Sequence, residues 1–190
     1  MKLAAALLAL AFAPGTDEEV VQRVHVRFAG GDVLGASCRS VIARNAEPGF
    51  ATIHFQYRIA AARRDAAGQY AAKVTFTLND VVITMPSSIS WARMTEADRD
   101  RAEGLRRAIL HHEIGHVRIA EAVRDDLNTH EPVVAPDLFA FRAAADAIGR
   151  EGFERFKREE REYDALTEHG RKQHVAPGDL AGPDTVIRCS

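Results

Sequence analysis

The sequence predicts an α+β fold, with an amino-terminal antiparallel sheet and a short helix followed by a helical half that ends in a long helix. Three observations lead there. Before Met85, apolar residues alternate singly with polar ones in successive runs, the period of strands with one buried face. After Pro86 the apolar spacing becomes that of helices. Within the helical half lies His112-Glu113-Ile114-Gly115-His116, an HExxH pattern.

Met1 and Lys2 precede an apolar run from Leu3 to Ala13, the charged and hydrophobic regions of a secretory signal peptide. That run is too short to cross a bilayer, so no membrane span is expected in the mature chain. Residues 1–15 are read as the leader, with cleavage after Ala13 or Gly15, and 16–190 as a single domain. A chain of 190 residues, 46% hydrophobic and 27% charged, can build one proper core. A net charge of −2, with basic residues interspersed among acids, gives no bulk attraction to nucleic acid or an anionic membrane. Cys38 and Cys189 allow one disulfide if the chain is exported, although Leu34, Cys38, Val41 and Ile42 share helical spacing that would equally suit Cys38 as a small buried residue.

Val24, Val26 and Phe28 alternate with charged neighbours and predict the first strand, which Gly30-Gly31 ends. Val33 to Ala43 reads as the short helix. Ile53, Phe55, Tyr57 and Ile59 form a second alternating run, and Tyr70, Ala72, Val74, Phe76 and Leu78 a third; the polar loop between them predicts an antiparallel hairpin. Val81 to Met85 extends the sheet, and Trp91 beyond it is expected to anchor the core. Thr95 with Asp98 resembles a capping box, so a helix is expected from there to about Asn128, with Gly104 as a point of interruption. Pro132 and Pro136 mark a loop, and Asp137 to about Leu166 is helical in composition.

On a helix each residue advances about 100°, so His112 and His116 stand about 40° apart on one face and can meet one metal ion. Glu113 follows the first histidine directly, where its carboxylate can act on water at that ion, as in zinc hydrolases. A catalytic zinc normally takes a third protein ligand. Glu121 lies about 180° around the helix from His112 and about 140° from His116, so it points away. Ile119 and Ala122 occupy the places where metzincins carry a bending glycine and a third histidine. The third ligand must therefore come from elsewhere, and Glu131, Glu151, Glu154 and Glu159 are among the acids that could supply it.

His112 to Glu121 resembles the HExGHxxxAE signature of a bacterial family, domain of unknown function 922, regarded as secreted zinc-dependent proteases. Tyr163-Asp164-Ala165-Leu166-Thr167-Glu168-His169-Gly170 resembles that family's YDxxTxHG, and the sheet ending at Met85-Pro86 is similar to its layout. The family's strand cysteine near Ala72 is missing, as are the glutamine and tryptophan expected after Gln173. The resemblance implies a Zn2+ site of three histidines, His112, His116 and His169, with Glu113 as general base. Tyr163 is favoured over His111 and Arg118 as oxyanion stabiliser because it falls in the second motif, and Asp164 is available as an outer-shell partner of a ligand histidine. The expected activity is exported, zinc-dependent hydrolysis of a protein or peptide substrate. An exported zinc-binding protein without turnover, or a zinc hydrolase of another bond, is the alternative.

Expressed in a bacterium with its own leader, the chain is expected outside the cytoplasm and shortened by roughly 13 to 15 residues. Fractionation and intact mass measure both, and full-length protein confined to the cytosol contradicts the reading.

Overall fold

The structure, a computed structural model, describes residues 16–28, 49–60, 62–85 and 96–170, without the side chains of 97–103 and 105. The leader, the helix expected over 33–43, Cys38, Cys189, Trp91 and the Thr95–Asp98 cap lie outside the described residues.

The class is α+β. Helix α1 (Asp17–Val21) opens the described chain on a capping box, in which Thr16 accepts from the Glu19 amide and the Glu19 side chain takes the Thr16 amide. Strands β1 (His25–Phe28), β2 (Phe50–Ile59) and β5 (Val74–Met85) form one sheet in the order β1-β5-β2. Strands β3 (Arg63–Arg64), β4 (Tyr70–Ala72) and β6 (Val133–Ala135) form a second, smaller one. Helix α2 (Glu96–Leu127) carries HExxH, and helix α3 (Leu138–Thr167) packs across it.

The hairpin expected from the alternating runs is present, with Tyr57 opposite Phe76 and Ile59 opposite Val74. Three features depart from the sequence reading. The sheet is not wholly antiparallel, because β1 pairs parallel with β5, His25 opposite Val82. Such a pairing joins segments distant in sequence, and alternation alone does not reveal its direction. Second, the run from Tyr70 to Leu78 is split between the two sheets, β4 pairing with β6 where a plain loop was expected. Val133 and Ala135 are buried and Val134 exposed, a strand pattern too short to stand out between prolines. Third, α2 runs unbroken through Gly104.

Two apolar clusters flank α2. Ile114 and Val117 join Val20, Ile83, Met85 and Ile109 on one side, whereas Ile119, Ala120, Val123 and Leu127 join Phe76, Phe141, Phe156 and Tyr163 on the other. The helix is consequently buried around most of its circumference from His111 to Val117. Several of its polar residues are paired within the protein. The Asp17 carboxylate, fully buried, meets the His111 ring and lies 2.9 Å from Arg118 Nη2, and Glu121 lies 3.2 Å from Arg23. These pairings satisfy groups that would be costly to bury alone.

At the carboxy-terminal end of α2, Asn128 reaches β5: its Oδ1 accepts from the Phe76 amide at 2.7 Å and its Nδ2 donates to the Phe76 carbonyl at 3.0 Å. Strand β1 covers only Val82–Met85 of β5, so this side chain satisfies backbone groups farther along. Asn128→Ala is expected to lower stability by about 2–3 kcal/mol, because it leaves two backbone groups without partners at a buried residue. Urea unfolding measures it, and a loss below about 0.5 kcal/mol would contradict the role.

Candidate metal centre

HExxH projects two imidazoles from a buried stretch of α2, with His112 Nε2 and His116 Nε2 3.3 Å apart. Helix α3 brings the third group. Asp164 Oδ1 lies 3.2 Å from His112 Nε2 and 3.1 Å from His116 Nε2, and the ligand atoms of these three residues all fall within 4.8 Å of one another. Bonds of about 2.0–2.1 Å to a tetrahedral ion require ligand separations of ~3.3–3.4 Å, close to those seen. Asp164 Oδ1 is buried and makes no aligned hydrogen bond despite its two nitrogen neighbours. Three donor atoms converging on one point in this way fit a metal cation.

The electrostatics agree. Burial works against protonation of His116, yet its contact with Asp164 and the charges of Glu113, Asp164 and Glu160 outweigh burial and raise its pKa. Burial likewise works against ionisation of Asp164, and the contacts with His112 and His116 outweigh it, holding the carboxyl well below the usual carboxylate range. Surroundings that favour positive charge on an imidazole also favour a cation between the rings.

The conformation of the ligands is set by residues around them. Thr167 donates its hydroxyl proton to the Tyr163 carbonyl at 2.8 Å, leaving Oγ1 to accept from His112 Nδ1 at 3.4 Å. A proton on Nδ1 would leave the His112 Nε2 lone pair directed at a metal. Glu160 stands 3.6 Å from His116 Nδ1. Tyr163 stacks on the His112 ring at 5.0 Å, meets the His116 ring edge-on at 5.2 Å, and places its hydroxyl 3.4 Å from the His112 carbonyl. A Cβ at Gly115 would lie 2.1 Å from that hydroxyl, so only glycine admits the tyrosine. Gly170, at φ +83°, is constrained twice, since a Cβ there would also sit 3.1 Å from His112 Cβ.

His169, expected as third ligand, lies beside this group and outside it. The helix ends at Thr167, and Glu168, His169 and Gly170 turn in left-handed conformations. His169 Nδ1 is consequently 3.8 Å from Asp164 Oδ1, with the side chain 45% exposed. Asp164, expected in the outer shell, sits one turn earlier on the face of α3 turned toward α2. Among the acids considered earlier, Glu131, Glu151 and Glu154 are exposed, and the buried Glu159 is held by Arg155 at 2.7 Å. His111 and Arg118 face Asp17.

Glu113 is buried beside the ligands and lines, with His112, His116 and Asp164, a cavity of about 350 Å3. The opposite wall is the start of β2, where a Cβ on Gly49 would come within 3.1 Å of Glu113 Oε1. The Glu113 carboxylate and a group able to hold a cation therefore share one cavity. Among the described residues no helix is long and apolar enough to cross a membrane.

Neither a curated protein nor a solved structure matches the chain. A family model described as "Bacterial protein of unknown function (DUF922)" matches residues 36–170, a span that includes HExxH, Asp164, Thr167 and Gly170. The chain belongs to that family.

Proposed function

We propose that this protein is an exported zinc-dependent metalloprotease, with His112, His116 and Asp164 as metal ligands and Glu113 as general base. The observation that carries the reading is the convergence of the three ligand atoms in the cavity that Glu113 also lines. Two imidazoles and a carboxylate suit zinc, whose catalytic sites use three protein ligands and keep one position open. Zinc at this point supplies Lewis acidity toward a peptide carbonyl and toward water.

The chain's own groups do the rest. Glu113 takes a proton from water as the new C–O bond forms and delivers it to the amine nitrogen as the C–N bond breaks, so one water is consumed and the carboxylate is regenerated. Thr167 keeps the His112 proton on Nδ1. Tyr163, read from sequence as an oxyanion stabiliser, is assigned here to positioning, since turning its hydroxyl to a substrate would give up the contact with the His112 carbonyl. His169 is proposed as a neighbour of Asp164 that influences the site without holding the ion. Export rests on the leader.

Two histidines and one carboxylate also suit ferrous iron, and an adjacent carboxylate base favours the hydrolytic reading. A zinc-binding protein without turnover is separated from it by one comparison. Glu113→Gln is expected to retain zinc and lose turnover of denatured protein by about 100-fold or more, the loss typical of a removed general base. Zinc retained by wild type and variant, with turnover by neither, favours the binding protein.

The same metal titration ranks the ligands. Asp164→Ala is expected to weaken zinc binding by more than about 100-fold and Thr167→Val by about 10-fold, against less than about 3-fold for His169→Ala. A larger loss for His169→Ala than for Asp164→Ala would return the third position to His169.

A further inference from the structure

Two cavities are lined by residues of both β2 and α3, and the metal centre adjoins one of them. There the walls are Gly49, Phe50 and Ala51 on the strand side and Lys157, Glu160 and Asp164 on the helix side. Farther along the same two elements lies a second cavity, of about 400 Å3. Phe55, Tyr57, Phe76, Leu127 and Phe153 line it, and the exposed Asp146, Arg150 and Glu154 stand at its rim. The rings of Phe55 and Phe156, 5.0 Å apart, stand between the two spaces.

Gly149 helps to keep this second cavity open. It contributes no side chain to the lining, and a Cβ there would already contact the Tyr57 ring at 3.6 Å and Phe76 at 3.8 Å. Tyr57 and Phe153 are 38% and 44% exposed, so the apolar lining reaches solvent. A space of this size and lining accepts one large apolar side chain. Among the described residues β2 pairs only with β5, which leaves its outer edge able to hydrogen-bond an extended chain. The strand leads from Phe50 at the metal centre to Phe55 and Gln56 at the second cavity, about five or six residue steps, or ~17–20 Å at ~3.4 Å each.

We propose that the second cavity is a specificity subsite for a large apolar side chain, aromatic or leucine, of a polypeptide that pairs antiparallel with the edge of β2 that no described strand occupies. That side chain sits about five or six residues to the amino-terminal side of the bond presented at Glu113. The direction follows from the strand, since an antiparallel chain reaches the cavity before the metal centre, and antiparallel pairing is the more stable kind. The subsite rests on the proteolytic reading for its relation to a scissile bond, although the recognition of an apolar side chain does not need turnover.

The test uses the zinc-loaded full chain and peptides of about twelve residues that share one bond and carry Phe, Leu, Ala or Asp at single positions four to seven residues before it. Cleavage by wild type and binding to zinc-loaded Glu113→Gln are both measured. Phe or Leu at the fifth or sixth position is expected to raise kcat/KM over Ala by about tenfold or more, the range for filling an apolar pocket. Gly149→Leu, which fills the cavity, should reduce that ratio below about threefold, and so should Phe153→Asp, an exposed change that charges the rim and keeps the test open if the first variant does not fold. Zinc content reports that each variant retains its structure. Equal cleavage of the Phe and Ala peptides overturns the proposal and leaves proteolysis standing. If no peptide is cut but Glu113→Gln binds the Phe peptide about tenfold more tightly than the Ala peptide, and Gly149→Leu erases that difference, the subsite stands and proteolysis falls.

Discussion

The metal centre depends on one close approach, Tyr163 of α3 against Gly115 of α2. The tyrosine hydroxyl occupies space that any β-carbon at 115 would claim, and its ring lies flat on His112. That contact fixes both the separation of the helices and the rotation of α3. Asp164 follows Tyr163 directly, so the packing that seats the ring also delivers the carboxylate to the two imidazoles. A second glycine contact, Gly152 against Leu127, lets the helices approach again farther along. Structure and chemistry are coupled here through packing as much as through charge.

A buried cluster of His, Glu and Asp opposes folding unless each group finds a partner. On one face of α2 the partners are the ligands themselves together with Thr167 and Glu160. On another face Asp17 pairs with His111 and Arg118, so α1 is tied to the helix that bears the site. The two apolar clusters then hold α2 from both sides, limiting the freedom of the HExxH turn to reorganise. Rigid support of this kind is what a site needs if its ligands are to stand in place before an ion or substrate arrives.

Much of this was legible in the sequence, for identifiable reasons. His112 and His116 share a face because helical periodicity alone puts them there. The β2–β5 hairpin follows from alternation, and α3 from its composition. For Asp164 the motif implies a place beside a ligand histidine, and the structure brings its Oδ1 3.2 Å from His112 Nε2 and 3.1 Å from His116 Nε2, a placement set by how far α3 slides along α2, which no local pattern encodes. The same motif implies His169 as a ligand, and the structure places its Nδ1 3.8 Å from Asp164 Oδ1, beyond a helix end where Glu168 and His169 take left-handed conformations that periodicity does not reveal. Thr167 and Gly170 fall in that motif, whose letters alone give no physical reason for a link to His112. The structure supplies one, a hydrogen bond to His112 and a surface against its Cβ. The parallel pairing of β1 and the short β6 depend on contacts between distant segments, which lie beyond single-sequence periodicity.

The central claim is that Asp164 completes the metal centre begun by the two histidines. Anomalous diffraction recorded on both sides of the zinc absorption edge from crystals of the zinc-loaded protein tests it most directly. One peak, about 2.0–2.1 Å from His112 Nε2 and His116 Nε2 and about 2.0–2.2 Å from an Asp164 carboxylate oxygen, is the result expected. A peak bonded to His169 with Asp164 turned away, or zinc located anywhere other than between His112 and His116, would contradict the account.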